Sequence, residues 1–124
     1  ASMTLYLYLN AALYALFAVW CTVAATKTSH TIGYLALSSG GRSEYLVIYG
    51  GLQFGLAAIF YLCARDSAFL KLGIAIALAL YVPIVLYRAV TIARFWPVAG
   101  ATLATGALET VLLVWAIWLY RGAA

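Results

Sequence analysis

The chain has 124 residues, of which 68% are hydrophobic and 8% are charged, and its mean hydropathy is +1.06. A water-soluble domain of this size has too much surface to cover with so few charges, so the composition excludes an ordinary soluble protein and predicts one that faces lipid. The net charge of +4 is scattered near the ends of apolar segments, which is typical of anchoring at the bilayer surface and argues against nucleic-acid binding.

Four stretches of the chain are apolar over the roughly 20 residues that a transmembrane helix needs. They predict helices over residues 3–25, 44–64, 69–93 and 98–120. The alternating pattern of outer-membrane strands is absent from the sequence. The fold class expected is therefore an all-α membrane protein, with residues 1–124 forming one four-helix transmembrane bundle.

The connections between these helices differ in length. Residues 65–67 and 94–97 form short links, which make neighbouring helices antiparallel. The first connection, residues 26–42, is longer, and its apolar part at 32–37 is too short to span, so we expect it to lie at the membrane interface. Basic residues are nearly balanced between the two sides, so the positive-inside rule does not decide the orientation.

In the first helix, Asn10 lies between Tyr6 and Tyr14, and we interpret it as an interhelical hydrogen-bonding group rather than a ligand contact. The charged residues Arg42 and Glu44 lie at the mouth of the second helix, Arg42 as the last residue of the first connection and Glu44 as the first residue of the helix. Helical spacing then predicts two features inside it. One is a polar stripe of Tyr45, Tyr49 and Gln53, and the other is a packing surface of small residues at Gly50, Gly51 and Gly55.

The last two helices each carry one charge well inside an apolar segment. Arg88 lies six residues before Arg94, and Glu109 lies eleven residues after Val98, at depths of roughly 9 and 16 Å. Tyr81 shares the helical face of Arg88, and Thr105 shares the face of Glu109. Intramembrane charges are costly unless they are paired, so we expect Arg88 to face the bundle interior and to bond Glu109 or Glu44.

These features predict a ligand-binding site formed by polar residues of three helices, which opens near the first connection. Its members are Arg88, Glu109, Glu44, Arg42, Tyr49, Gln53, Tyr81 and Thr105. The functional hypothesis is binding or transport of a small amphiphilic or anionic molecule, with Arg88 as the positive anchor and Glu109 as its counter-ion and proton acceptor. The alternative is a structural or assembly subunit whose charges only fix helix packing, within a homodimer or a larger membrane complex.

Two further function classes have weaker support. A small drug-efflux transporter would carry its essential carboxylate in the first helix, where this chain has none. A membrane enzyme would need a nucleophile paired with a base, and no such motif is present, so the sequence favours a protein that is not an enzyme. With one histidine and two separated cysteines, neither a metal site nor a cofactor is expected.

Tyr49-Gly50-Gly51 preceded by Arg42 or Glu44, together with Arg88 and Glu109, resembles a small family of four-helix bacterial membrane proteins in the DoxX-like group. The resemblance covers the layout of most of the chain but only a few residues in identity. It implies a four-helix fold in the bacterial inner membrane and no established activity. The redox roles known among DoxX-like proteins do not carry over, because this chain has no paired thiols.

Overall fold

A computed structural model describes residues 2–123, which are helical over most of their length and contain no β-strand. The α-helices are α1 (Ser2–Val23), α2 (Ala25–Thr31), α3 (Ser39–Leu46), α4 (Gln53–Ala64), α5 (Leu70–Arg94) and α6 (Gly100–Ala123). A π-helical turn, Val47–Leu52, makes α3 and α4 one continuous rod, and a 3-10 turn, Ser67–Phe69, leads into α5.

Four of these segments are long and apolar enough to cross a membrane: Ser2–Val23, Ser39–Ala64, Ser67–Arg94 and Gly100–Gly122. They contain 22 to 28 residues, and a helix rises 1.5 Å per residue, so each can span a hydrocarbon core of about 30 Å. The predicted all-helical membrane protein with four candidate spans is confirmed.

The boundaries differ most around the first connection. The chain does not stay irregular to residue 42, because α2 occupies its first part and α3 begins at Ser39. Ser38 caps α3 by accepting a hydrogen bond from the Gly41 backbone N–H at 3.1 Å. The sequence does not predict this helix start, because the segment contains two adjacent glycines and glycine is a poor helix former.

The four spans pack as two close pairs. α1 lies mainly against α4 and the π-helical turn, whereas α5 lies mainly against α6. Along α1, Tyr8 meets Tyr61 and Phe17 meets Tyr49, with ring centroids 6.0 and 6.4 Å apart. α1 also contacts α5 and α6, so it joins the two pairs.

The buried residues form two clusters. The larger cluster draws on α1, α4, α5 and α6, and its largest fully buried members are Tyr6, Leu7, Phe60, Ile74 and Tyr81. The smaller cluster lies beside the first connection and contains Cys21, Ala25 and Tyr45. Many large apolar side chains outside both clusters are exposed, as expected when lipid rather than water surrounds the chain.

The glycines of the second span do not act together as predicted. A Cβ atom added at Gly50 would lie 2.7 Å from Thr22 Oγ1, so Gly50 allows close approach to α1. Gly51 and Gly55 are exposed, and nothing lies within 4 Å of a Cβ added at either. The predicted packing role within the chain is therefore wrong for these two, because the inward line of the rod runs through Gly50 and Ala57.

Candidate functional site

Arg88 of α5 and Glu109 of α6 form a two-pronged ion pair. Arg88 Nε donates to Glu109 Oε1 at 2.9 Å, and Nη2 donates to Oε2 at 3.0 Å. Of the two carboxylates that the sequence offered to Arg88, the structure thus uses Glu109. Glu44 is exposed on α3 and makes no ion pair within residues 2–123.

A glycine makes room for this pair. A Cβ atom added at Gly106 would lie 3.1 Å from Arg88 Cγ and 3.5 Å from Cδ, so the stem of the arginine lies directly against α6 at this point. Gly106 precedes Glu109 by three residues, about one helical turn, which places both on one face of α6. Gly106 is not among the predicted site residues, although the sequence does place a glycine about one helical turn before Glu109.

The pair is closed on one side and open on the other. The Glu109 side chain is 14% exposed and that of Arg88 is 31% exposed. A guanidinium carries five N–H donors. Glu109 accepts from two of them, and the rest have no hydrogen-bond partner within residues 2–123. The open side of the pair therefore presents unused N–H donors, and this is the chemistry the site can offer.

The other predicted ligand contacts are distributed unevenly. Tyr49 is half-buried in the second span, and its hydroxyl lies 3.5 Å from that of Tyr34. Gln53 instead donates to the Ile48 carbonyl of its own rod at 3.3 Å, and Thr105 donates to the Ala101 carbonyl of its own helix at 2.8 Å. Neither contact reaches the pair.

Arg42 lies apart from the pair as well. It belongs to α3, is exposed, and donates from Nη2 to Thr26 Oγ1 beside the start of α2. The sequence predicts Arg42 as the last residue of the first connection, whereas it lies within α3. Its nearest polar partner comes from the first connection, which periodicity does not describe.

Tyr81 belongs to a separate group, which we call the interior network and define as Tyr6, Asn10, Tyr14 and Tyr81. Tyr81 donates to Asn10 Oδ1, and Tyr14 donates to the Tyr81 hydroxyl at 2.9 Å. Asn10 Nδ2 donates to the Tyr6 carbonyl at 2.9 Å, and the Tyr6 hydroxyl donates to the Leu112 carbonyl at 2.8 Å. The interpretation of Asn10 as an interhelical hydrogen-bonding group is confirmed.

A second aromatic group, the tyrosine cluster of Tyr34, Tyr45 and Tyr49, lies at the first-connection end. Tyr45 and Tyr49 are stacked with ring centroids 4.5 Å apart, and the hydroxyls of Tyr34 and Tyr49 are 3.5 Å apart. Tyr45 donates to Thr28 Oγ1 at 2.8 Å. Helical spacing in the sequence predicts the shared face of Tyr45 and Tyr49. It does not predict that Tyr34 joins them, because Tyr34 lies in the irregular part of the first connection.

Arg88 and Glu109 line neither of two surface grooves that residues 2–123 form. One, of about 540 Å³, lies around the link between α4 and α5, and the other, of about 350 Å³, lies between the α1–α2 junction and α3. The pair thus opens into neither of them.

Comparisons with protein-family models, with curated proteins and with solved structures found no match to this chain.

Proposed function

We propose that this integral membrane protein binds a small amphiphilic or anionic molecule at the Arg88–Glu109 pair. The observation that carries the proposal is the open side of Arg88, which keeps unused N–H donors inside a candidate membrane span. Unsatisfied polar groups are costly in hydrocarbon. A ligand that offers oxygen acceptors to these donors is therefore favoured, while its apolar part stays in lipid.

The charge of the site restricts the ligand further. Arg88 and Glu109 together are neutral, so a polar acceptor such as a carbonyl or hydroxyl group binds without adding charge. An anionic head group would add one negative charge to a low-dielectric site, where such charge is expensive. In that case Glu109 takes up a proton and keeps the occupied site neutral, which would couple binding, or transport, to proton uptake.

The setting that we propose is an antiparallel four-helix bundle in a bacterial inner membrane, as the DoxX-like resemblance implies. The short links support antiparallel neighbours. So does the order of contacts along α1, where Tyr8 meets Tyr61 and Phe17 meets Tyr49. Tyr49 stacks on Tyr45 at the first-connection end, and in this proposal its hydroxyl contributes a further hydrogen-bonding group to the ligand. A homodimer or larger complex is compatible with this arrangement.

One observation favours a second function, that of a structural subunit. The two-pronged geometry and the close fit of the Arg88 stem against Gly106 hold α5 and α6 in one register. Buried ion pairs serve as such specificity devices in some proteins. Under this alternative the pair matters for folding or assembly, and no small molecule is retained.

Native mass spectrometry of the detergent-purified protein tests the proposal. We expect a small-molecule adduct on the wild type that is lost in Arg88→Ala and weakened in Glu109→Gln. The matched controls are Arg94→Ala, which removes an exposed arginine from the same helix, and Glu44→Gln, which removes an exposed carboxylate that forms no ion pair within the described part of the chain. Both controls should keep the adduct.

Hydrogen bonds to charged groups contribute about 1.5–3 kcal/mol each, so losing Arg88 should weaken binding by on the order of 100-fold. An adduct that survives Arg88→Ala in a folded protein would refute the proposal. A ligand-free wild type whose oligomer dissociates in Arg88→Ala would establish the structural function instead.

A further inference from the structure

The smaller surface groove combines positive charge with apolar walls. It is formed on one side by the end of α1 and the start of α2, and on the other by α3, and it encloses about 350 Å³. Its lining includes Val23, Thr26, Lys27, Arg42 and Leu46. No residue of this lining is acidic, and the groove shares no residue with the Arg88–Glu109 pair.

The two basic residues of the groove come from different helices. Lys27 lies on α2 and Arg42 on α3, and both are exposed. Arg42 donates from Nη2 to Thr26 Oγ1, which holds its guanidinium on the groove wall next to the segment that carries Lys27. Glu44 follows Arg42 by two residues, about 200° around the helix, so it faces away from the groove.

The apolar part of the groove lies where the first span ends. Val23 is the last residue of α1 and is 81% exposed, and Leu46 packs at the edge of the smaller buried cluster. The end of a membrane span is the level of the lipid phosphates. A cationic pair at this level, directly beside exposed apolar side chains, matches the two parts of a phospholipid.

We infer that this groove is a binding site for an anionic phospholipid. The phosphate lies between Lys27 and Arg42, and the first part of one acyl chain lies against Val23 and Leu46. Anionic lipids are attracted to basic side chains at the membrane surface by about 1 kcal/mol for each charge. Two basic side chains that line one groove therefore select anionic lipids over zwitterionic ones.

The test is a titration of the purified protein in neutral detergent with dioctanoyl phosphatidylglycerol, followed by native mass spectrometry. Dioctanoyl phosphatidylcholine serves as the zwitterionic comparison. Removing both charges in Lys27→Ala/Arg42→Ala should weaken phosphatidylglycerol binding about 25-fold, roughly fivefold for each charge. Val23→Asn should weaken binding of both lipids, because it removes an exposed apolar contact without touching the charges.

The matched control is Lys71→Ala/Arg121→Ala, which removes two exposed basic residues that lie outside the groove. An equal loss in this control would overturn the inference, because binding would then follow the total charge. Displacement of the lipid by millimolar inorganic phosphate would also overturn it, because the groove would then be a simple anion site. Lys27→Ala/Arg42→Ala should keep the small-molecule adduct that we assign to the Arg88–Glu109 pair, because the groove shares no residue with the pair, so this inference and the proposed function fail separately.

Discussion

The interior network and the Arg88–Glu109 pair are both polar groups inside candidate membrane spans, and they differ in closure. In the network, Asn10 is 0% exposed and Tyr81 is 1% exposed, and the hydroxyls of Tyr6, Tyr14 and Tyr81 each donate to an acceptor within the chain. The pair leaves Arg88 31% exposed with unused N–H donors.

This difference separates structural polar groups from candidate functional ones. Each buried polar side-chain atom of the network has a hydrogen-bond partner within residues 2–123, so the network has little to offer a ligand, and its hydrogen bonds instead join α1 to α5 and α6. A charged group with free donors can bind a further molecule. In lipid, a polar group whose atoms all have partners inside the protein is thus better recognised as structural by those hydrogen bonds than by its depth or residue type.

The largest effect on stability should come from opening the closed network. Asn10→Ala removes the acceptor of Tyr81 and a donor to the Tyr6 carbonyl, and leaves the fully buried Tyr81 hydroxyl without that partner. We expect a loss of about 1–3 kcal/mol in the free energy of unfolding, measured by reversible unfolding in mixed micelles. The control Thr110→Val alters an exposed hydroxyl that bonds only its own helix. Equal stability of Asn10→Ala and wild type would contradict the comparison.

A smaller effect is expected from crowding the open pair. Gly106→Ala places a methyl group 3.1 Å from Arg88 Cγ, so the arginine stem must shift. We expect a destabilisation of about 1 kcal/mol, at the low end of overpacking costs, together with weaker ligand retention. Gly55→Ala, which fills open space, should retain both properties. If the two variants have the same stability and the same ligand retention, the close fit of Arg88 against α6 contributes to neither.

Replacing the whole pair should change stability even less. In Arg88→Met/Glu109→Leu both charges are removed together, so neither is left unpaired in lipid. Apolar replacement of a buried ion pair is often neutral or stabilising, and we expect the free energy of unfolding to stay within about 1 kcal/mol of the wild type. Unfolding curves in mixed micelles measure this. A strong loss of stability would favour the structural function of the pair.

The smallest effect belongs to the outer end of the network. Tyr14→Phe removes the donor to Tyr81, but Tyr81 still donates to Asn10. Interhelical hydrogen bonds in membranes average about 0.6 kcal/mol, which is the loss expected. Tyr8→Phe serves as the control, since Tyr8 is exposed on the same helix. A loss several times larger would show that the network acts as one cooperative unit.

The spans were predictable because hydrophobic length is a direct requirement of the bilayer. It was also predictable that Arg88 pairs with a carboxylate, because a charge in lipid needs a partner. Its choice of Glu109 over Glu44 was not, since both carboxylates lie in helices that adjoin the same end of the bundle. The structure decides this by packing α6 closely against α5 at Gly106.

The partner of Tyr81 and the π-helical turn could not be predicted from the sequence, each for a physical reason. Tyr81 shares a helical face with Arg88 but lies seven residues away, roughly 10 Å along the axis. Periodicity identifies the helical face on which a residue lies, but not the neighbouring residue that it contacts at that depth. The sequence therefore predicts Tyr81 in the ligand site, whereas Tyr81 bonds Asn10. The π-helical turn Val47–Leu52 has no composition signal of its own, and it changes which residues of the second span face inward.

Native mass spectrometry of the wild type, Asn10→Ala and Arg88→Met/Glu109→Leu, purified side by side, tests whether the open ion pair is the binding site. We expect the wild type and the folded fraction of Asn10→Ala to carry the same small-molecule adduct, and the double variant to be folded but to lack it. An adduct retained by the double variant would contradict the claim that the open ion pair is the binding site.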